Sequence, residues 1–269
     1  MERHQLILYK ILAVAALLSL WEVLPRFGIV DPLFIPSLSG VISTIYEMTS
    51  SGELGKHTLV SLVRALSGLL AALVVGLPLG LLLGGWFPRV QTATEPLMEL
   101  FAQANPVILA HIIIFFLGIG QTAKVFIIAW LCIWPITFST IAGIRNVDPT
   151  LVKAARSLGL GRFRLFLVVV LPSAAGSIFT GLRLAAGYAY IMLVASEMMG
   201  ASSGLGFLVV QSQESYNITR IFAGASVITL LAVVTDQLLK LVEKRLSFRE
   251  ENDADDYVRM RQAVLGPAA

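Results

Sequence analysis

Residues 145–172 read RNVDPTLVKAARSLGLGRFRLFLVVVLP, and this stretch decides how the rest of the chain is read. Asp148 is suited to cap a helix, and Pro149 suits its first turn, where a missing N–H costs nothing. Leu151, Ala154, Ala155 and Leu158 recur at helical spacing and predict a short helix with one apolar side. Gly159 suits the exit, where left-handed backbone is common. Residues 162–171 predict a second helix, kinked or closed by Pro172. The segment is rich in Arg and Lys and too long for a simple turn. A short helix with an apolar knob has little use in a self-contained membrane protein; it makes sense as a lever pushed by a partner.

The flanking sequence is membrane-like. Of 269 residues, 57% are hydrophobic and 14% charged, with mean hydropathy +0.81. Soluble domains carry about 45–50% apolar and about 25% charged residues, so lipid is the expected solvent. Six charge-poor runs, each near the roughly 20 residues of a span, lie at 6–24, 59–86, 100–117, 125–144, 173–199 and 221–241. Residues 165–171 are too few to span. The first run imitates a signal peptide, but it ends in Trp21-Glu22-Val23-Leu24-Pro25 without a small-x-small site, so it reads as a retained span.

Orientation follows from the basic residues. With the N-terminus inside, Arg3, Lys10, Arg89, Arg145, Lys153, Arg156, Arg162, Arg164, Lys240, Lys244, Arg245 and Arg249 fall on the inner side. Only Arg26, Lys56, Lys124 and Arg220 fall outside, which places both termini in the cytoplasm. The net charge of +3 thus reads as membrane topology, and nucleic acid is not an expected partner. The organisation expected is a first span with an outer amphipathic segment (1–58), a core (59–246) and a loosely ordered cytoplasmic tail (247–269). In the outer segment Val41, Ile42, Ile45 and Met48 form the apolar side of a helix along the membrane interface. Gly68, Ala72, Gly76, Gly80 and Gly84 recur every four residues, a stripe that lets another helix approach closely. The single cysteine, Cys132, excludes an intrachain disulfide and reads as a small buried side chain.

Lys153-Ala154-Ala155-Arg156-Ser157-Leu158-Gly159, then nine residues, then Val169-Val170-Leu171-Pro172, resembles the "EAA" signature of permeases in binding-protein-dependent ABC importers. The family's usual Glu is Lys153 here, and its Ile is Val169. Leu117-Gly118-Ile119-Gly120 with Lys124, Gly181-Leu182-Arg183, and Val194-Ala195-Ser196-Glu197 followed by Ser202-Ser203-Gly204-Leu205-Gly206 resemble the sulfonate, taurine, nitrate and bicarbonate branch. His111 stands where that branch leads one to expect proline or an apolar residue. The resemblance covers about residues 59–246. It implies a coupling helix at 149–159 that docks in a groove of an ATPase subunit through Leu151, Ala154, Ala155, Leu158 and Gly159.

The chain contains no G-x-x-x-x-G-K-[ST] loop to cradle phosphates. Leu66-Ser67-Gly68 begins like an ABC signature but lies inside a span. The resemblance therefore implies no cofactor in this chain, with ATP and Mg bound by the partner. It also implies a periplasmic or lipid-anchored substrate-binding protein at the outer loops 118–124 and 200–220, and a second, identical permease copy.

Ionisable groups inside spans are costly and often functional. Glu197 reads as a gate or substrate contact, or else as an interfacial carboxylate paired locally; Arg183 reads as a structural ion pair or backbone-carbonyl contact or, less favoured, an anion attractor. His111 reads as a neutral ring bonded to a neighbouring helix or as a substrate contact. With Gln103, Asn105, Tyr188, Tyr190 and Glu197 it forms a candidate translocation path. A metal site is not expected, since zinc takes three or four ligands and His111 lacks a second nearby His. No nucleophile–base set is legible; His4 and His57 are expected to face water, and Asp31 to lie in a turn.

The reading is an all-α integral membrane protein, six transmembrane helices in a type I ABC importer (MetI-like) fold. It is a transport subunit rather than an enzyme, with a small organic or inorganic anion as the expected cargo. A vitamin precursor such as a pyrimidine or riboflavin is the alternative cargo. An ion-driven secondary transporter would show inverted repeats and paired broken helices, and an intramembrane enzyme would need a second group beside His111 or Glu197; neither is legible.

Overall fold

The computed structural model describes the backbone of residues 3–31 and 33–265, and the side chains of residue 9, 12–31 and 33–245. The described elements are helices: α1 (Arg3–Arg26), α2 (Leu38–Ser50), α3 (Glu53–Gly85), α4 (Pro88–Gln103), α5 (Pro106–Leu117), α6 (Gln121–Arg145), α7 (Pro149–Ser157), α8 (Arg162–Leu165), a π-helical turn (Phe166–Val170), α9 (Leu171–Met198), α10 (Leu205–Glu214) and α11 (Ile218–Leu265). Four of them are long and apolar enough to cross a membrane: Glu53–Gly85, Gln121–Arg145, the continuous Arg162–Met198 and Ile218–Arg245. The pair α4–α5 makes a fifth if counted as one span.

Three expectations about elements are corrected. The run read as a third span, 100–117, is an elbow, with α4 and α5 bent by 85°. Its cause is local: Asn105 accepts hydrogen bonds from the N–H groups of Val107 (3.0 Å) and Ile108 (3.4 Å), and Pro106 occupies the first turn. That pattern starts a new helix rather than continuing an old one. Pro172 does not close a helix. The π turn before it widens the ladder, with Leu171 N–H bonded to Phe166 O, and the helix runs on through the proline. The segment read as a loosely ordered end is helical to Leu265, while residues 266–269 and all side chains beyond 245 lie outside the described residues. The side chains of Arg3, Lys10 and Arg249, used to orient the chain, and of His4, expected to face water, also lie outside them.

The chain divides into two compact units, Met1–Val63 with Leu193–Leu231, and Arg64–Met192 with Ala232–Ala269. In the second, the glycine stripe of α3 meets α6. A Cβ on Gly68 would lie 2.5 Å from Ile128 Cγ2, one on Gly76 2.9 Å from Ile133 O, and one on Gly80 2.6 Å from Thr140 Cβ. The backbones therefore touch, and Thr137 Oγ1 donates to Gly76 O at 3.1 Å across the seam. The glycine of the Gly181-Leu182-Arg183 motif is a packing residue too, since its Cβ would sit 2.8 Å from Pro135 O. A second core of Ile144, Ala155, Leu165, Phe166, Val170 and Ala174 lies under α7 and the π turn.

In the first unit, α2 is the expected helix, but it does more than lie on an interface. Val41 and Met48 are buried with Leu54, Leu205, Leu208 and Ala223, while Ile42 points away and is exposed. Burying a Leu or Val side chain contributes roughly 1.5–3 kcal/mol relative to water. Leu205 and Leu208, a third of this core, come from α10, which lies in a stretch read as loop.

Candidate coupling surface and a polar clasp

α7 is built by the cues in its own sequence. The Asp148 carboxylate accepts the Thr150 N–H at 2.7 Å, and that bond holds its carboxyl below the usual carboxylate range. At the other end Gly159 has φ +76°, its N–H reaches Arg156 O (2.9 Å) and the Leu160 N–H reaches Ala155 O (3.2 Å). This is a Schellman exit with glycine at the left-handed position.

The helix has two different apolar sides. Leu151 is 50% exposed and Leu158 81% exposed, and Ala154 lies open with them. Ala155 is only 6% exposed and sits in the core with Leu165, Phe166 and Val170. Ala155 was expected on the same face as Leu151 and Leu158; the structure corrects this, because four residues from Leu151 the turn has carried it past the ridge and inward. Behind the ridge lies a cavity of about 370 Å³, bordered by Trp86, Val152, Arg156, Leu160, Arg162 and Phe166.

The second polar constellation was not assembled from sequence. Glu197, near the end of α9, is 1% exposed. Its carboxylate accepts the Ser61 hydroxyl (2.8 and 2.9 Å to the two oxygens) and the Gly206 N–H (2.8 Å). Ser61 Oγ in turn accepts the Leu205 N–H at 2.8 Å, and His57 Nδ1 accepts the Gly204 N–H at 3.0 Å. Three successive N–H groups at the start of α10, which have no partner within their own helix, thus end on side chains of α3 and α9. An acceptor at Nδ1 means the ring of His57 carries its proton on Nε2. His57 is buried and stacks on Phe207 with ring centroids 5.9 Å apart, so the expectation that it faces water is corrected.

The clasp also explains the Ser202-Ser203-Gly204-Leu205-Gly206 motif. Gly204 has φ +121°, and any Cβ there would overlap the Glu197 carboxyl group; a Cβ on Gly206 would lie 2.7 Å from Glu197 Cβ. The sequence signal was the small-residue run nine positions beyond a buried acid. Nothing in spacing pointed to His57 and Ser61, which lie 147 and 144 residues away from the amides they hold.

The candidate path residues fall into two sorts. Gln103, at the end of α4, borders an open cleft of about 680 Å³ with Pro96, Glu99, Leu100 and Leu109. Asn105, His111 and Tyr188 are exposed as well. His111 Nδ1 lies 2.8 Å from Val107 O, one turn back in its own helix, rather than bonding a neighbouring helix; a carbonyl only accepts, so Nδ1 donates. Tyr190 is buried, its hydroxyl 2.7 Å from Thr235 Oγ1. Arg183 pairs with Asp236 (2.9 Å) and Glu243 (3.7 Å), as the ion-pair reading expected.

Membrane-crossing helices joined by a short helix with a bare apolar ridge are the form of a membrane-spanning subunit with a surface open to another protein. Residues 76–248 match the family described as "Binding-protein-dependent transport system inner membrane component", and the chain belongs to it. It is the permease subunit of an ABC importer of the inner membrane, and ATP is bound by the partner ATPase. The taurine transport system permease protein TauC of Escherichia coli is 31% identical over 239 residues, covering 87% of this chain and 86% of that one. The putative aliphatic sulfonates transport permease protein SsuC of Bacillus subtilis is 29% identical over 88% of this chain and 85% of its own. The bicarbonate transport system permease protein CmpB of a Synechocystis strain is 26% identical, with 90% and 89% covered. In three dimensions the chain resembles the inward-facing methionine ABC transporter MetNI, with TM-score 0.59 and 19% identity, over 72% of this chain and 94% of that one.

Proposed function

We propose that this chain imports a small anion, organic or inorganic, as one of two identical permease copies, each engaging one ATPase subunit. The relatives whose names specify taurine, aliphatic sulfonates and bicarbonate support that cargo class; nitrate belongs to the same class of small anions. α1 serves as a sixth span, both termini lie in the cytoplasm, and the α9–α11 corner lies on the periplasmic side, where a free or lipid-anchored binding protein delivers cargo. Leu151, Ala154 and Leu158 enter the ATPase groove. Ala155 and Gly159 act behind them, one as a core residue and one as the exit that frees the ridge. Gln103, Asn105, His111 and Tyr188 face the path; Tyr190 and Glu197 hold helices in place beside it. Nucleotide binding by the ATPase pair biases the spans between inward- and outward-facing states.

The single observation that carries this reading is the Leu158 side chain, 81% exposed at the C-cap of a helix anchored to the core through Ala155. The test is reconstitution with the co-encoded ATPase and binding protein in liposomes. Uptake of labelled taurine, an alkanesulfonate, nitrate or bicarbonate should require ATP. Leu158→Glu should lower ATPase retention about 30-fold, the loss of one interface hot spot, with little change in thermal midpoint. Full retention of the ATPase on that variant would end the coupling assignment, and absence of uptake for all four anions would end the cargo assignment.

A further inference from the structure

The exit of α10 repeats the exit of α7 with one change. The Asn217 N–H bonds to Ser212 O at 2.8 Å and the Tyr216 N–H to Gln213 O at 3.1 Å, the two bonds of a Schellman motif. Here the left-handed residue is not glycine but Tyr216, at φ +54°, the one non-glycine with positive φ among the described residues. Gly28, Gly52, Gly118, Gly159 and Gly200 occupy the other left-handed positions near helix ends. A bulky L-residue there is strained, and such strain persists where the side chain has a task. The tyrosine does not contribute to the core: it is 87% exposed. Nor is it loose. Asn217 caps α11 by accepting the Arg220 N–H at 3.2 Å, and Arg220 is ion-paired to Glu53. On the other side the start of α10 is held by the clasp. The backbone of Tyr216 is therefore held from both sides, and its ring projects from that corner.

Its surroundings are polar. Gln211, Gln213, Glu214, Ser215 and Asn217 are all exposed around it. An aromatic group presented at low conformational cost inside a polar ring is the form of a protein-interface hot spot. A tyrosine anchoring a helix among lipid headgroups needs neither a strained backbone nor amide and carboxylate neighbours. We propose that Tyr216 is the aromatic anchor by which this permease receives its substrate-binding protein. The assignment rests on the importer reading and its topology, which puts the α10–α11 corner on the periplasmic side.

The experiment uses the permease with its ATPase in nanodiscs and measures ATPase stimulation against concentration of the cargo-loaded binding protein. Tyr216→Gly relieves the backbone, so its thermal midpoint should stay level or rise by about 2 °C. Its half-saturating binding-protein concentration should nevertheless rise about 30-fold, with the plateau retained. Tyr216→Asn, which also tolerates the left-handed region, should show the same rise, and Tyr216→Phe a smaller one. An unchanged half-saturation in Tyr216→Gly, with wild type stimulated, overturns the assignment alone. A fall in thermal midpoint with unchanged half-saturation assigns Tyr216 to the lipid interface instead and overturns it likewise. Failure of the binding protein to stimulate the wild type overturns the importer reading and this assignment together.

Discussion

α7 and α10 are both short helices between longer ones, yet they are held in opposite ways. α7 carries its own start and stop signals, Asp148-Pro149 and Gly159, and leaves Leu151 and Leu158 bare. α10 has no side chain of its own at its N-cap; its first amides are satisfied by His57, Ser61 and Glu197. One helix is specified locally and offers a surface. The other is specified by residues far along the chain and offers almost none except at its exit. A locally built element can move as a unit with its partner, whereas an element clasped at three points is fixed to its scaffold.

The sharpest way to break the contrast is Glu197→Ala. It removes the acceptor of two buried donors, and the expected loss is about 3 kcal/mol, seen as a large drop in the thermal midpoint and protease cleavage near 200–205. If the variant is as stable as wild type, the clasp does not hold α10. A second test separates the two sides of α7. Ala155→Asp buries an unpaired charge against Leu165 and Phe166 and should reduce stability by a few kcal/mol, while Leu151→Asp on the open side should change stability by less than about 0.5 kcal/mol. Equal effects would mean the helix lacks distinct sides.

The smallest expected effect is at Asp148. Its native carboxyl sits below the usual range, so the cap is fully present above the unfolded carboxylate range and is lost as pH falls through the lowered native value. Protease protection of residues 149–157 should therefore fade on acidification in wild type. In Asp148→Asn, which caps without titrating, protection should be independent of pH; an identical fading in both would remove Asp148 as its source.

The same contrast explains what could be read in advance. The glycine seam of α3, the cap and exit of α7 and the pairing of Arg183 follow from residues four apart or from a charge that must find a partner, and periodicity carries such information. The elbow at Asn105-Pro106 was equally local, but the cap signal was outweighed by an apolar run of span length. The clasp was illegible for a different reason: two of its three amides find their acceptors, His57 and Ser61, well over a hundred residues away, and only the packed helices bring them together. The inward turn of Ala155 lay between these cases, since spacing gives a face but not which of two apolar faces is covered.

The π turn at Phe166–Val170 has a bearing on timing between parts of the permease. A π turn holds one residue more than an α turn, so it acts as a phase offset within the continuous Arg162–Met198 rod. Removing that residue would give a regular helix with the downstream part at the same angle, whereas tightening the turn to α geometry with the residue kept would rotate everything downstream by about 100° about the axis. Arg183 would then point away from Asp236. The wide turn thus works like the keyway on a shaft: it fixes the angle of α9 relative to the α8 segment that leads into it.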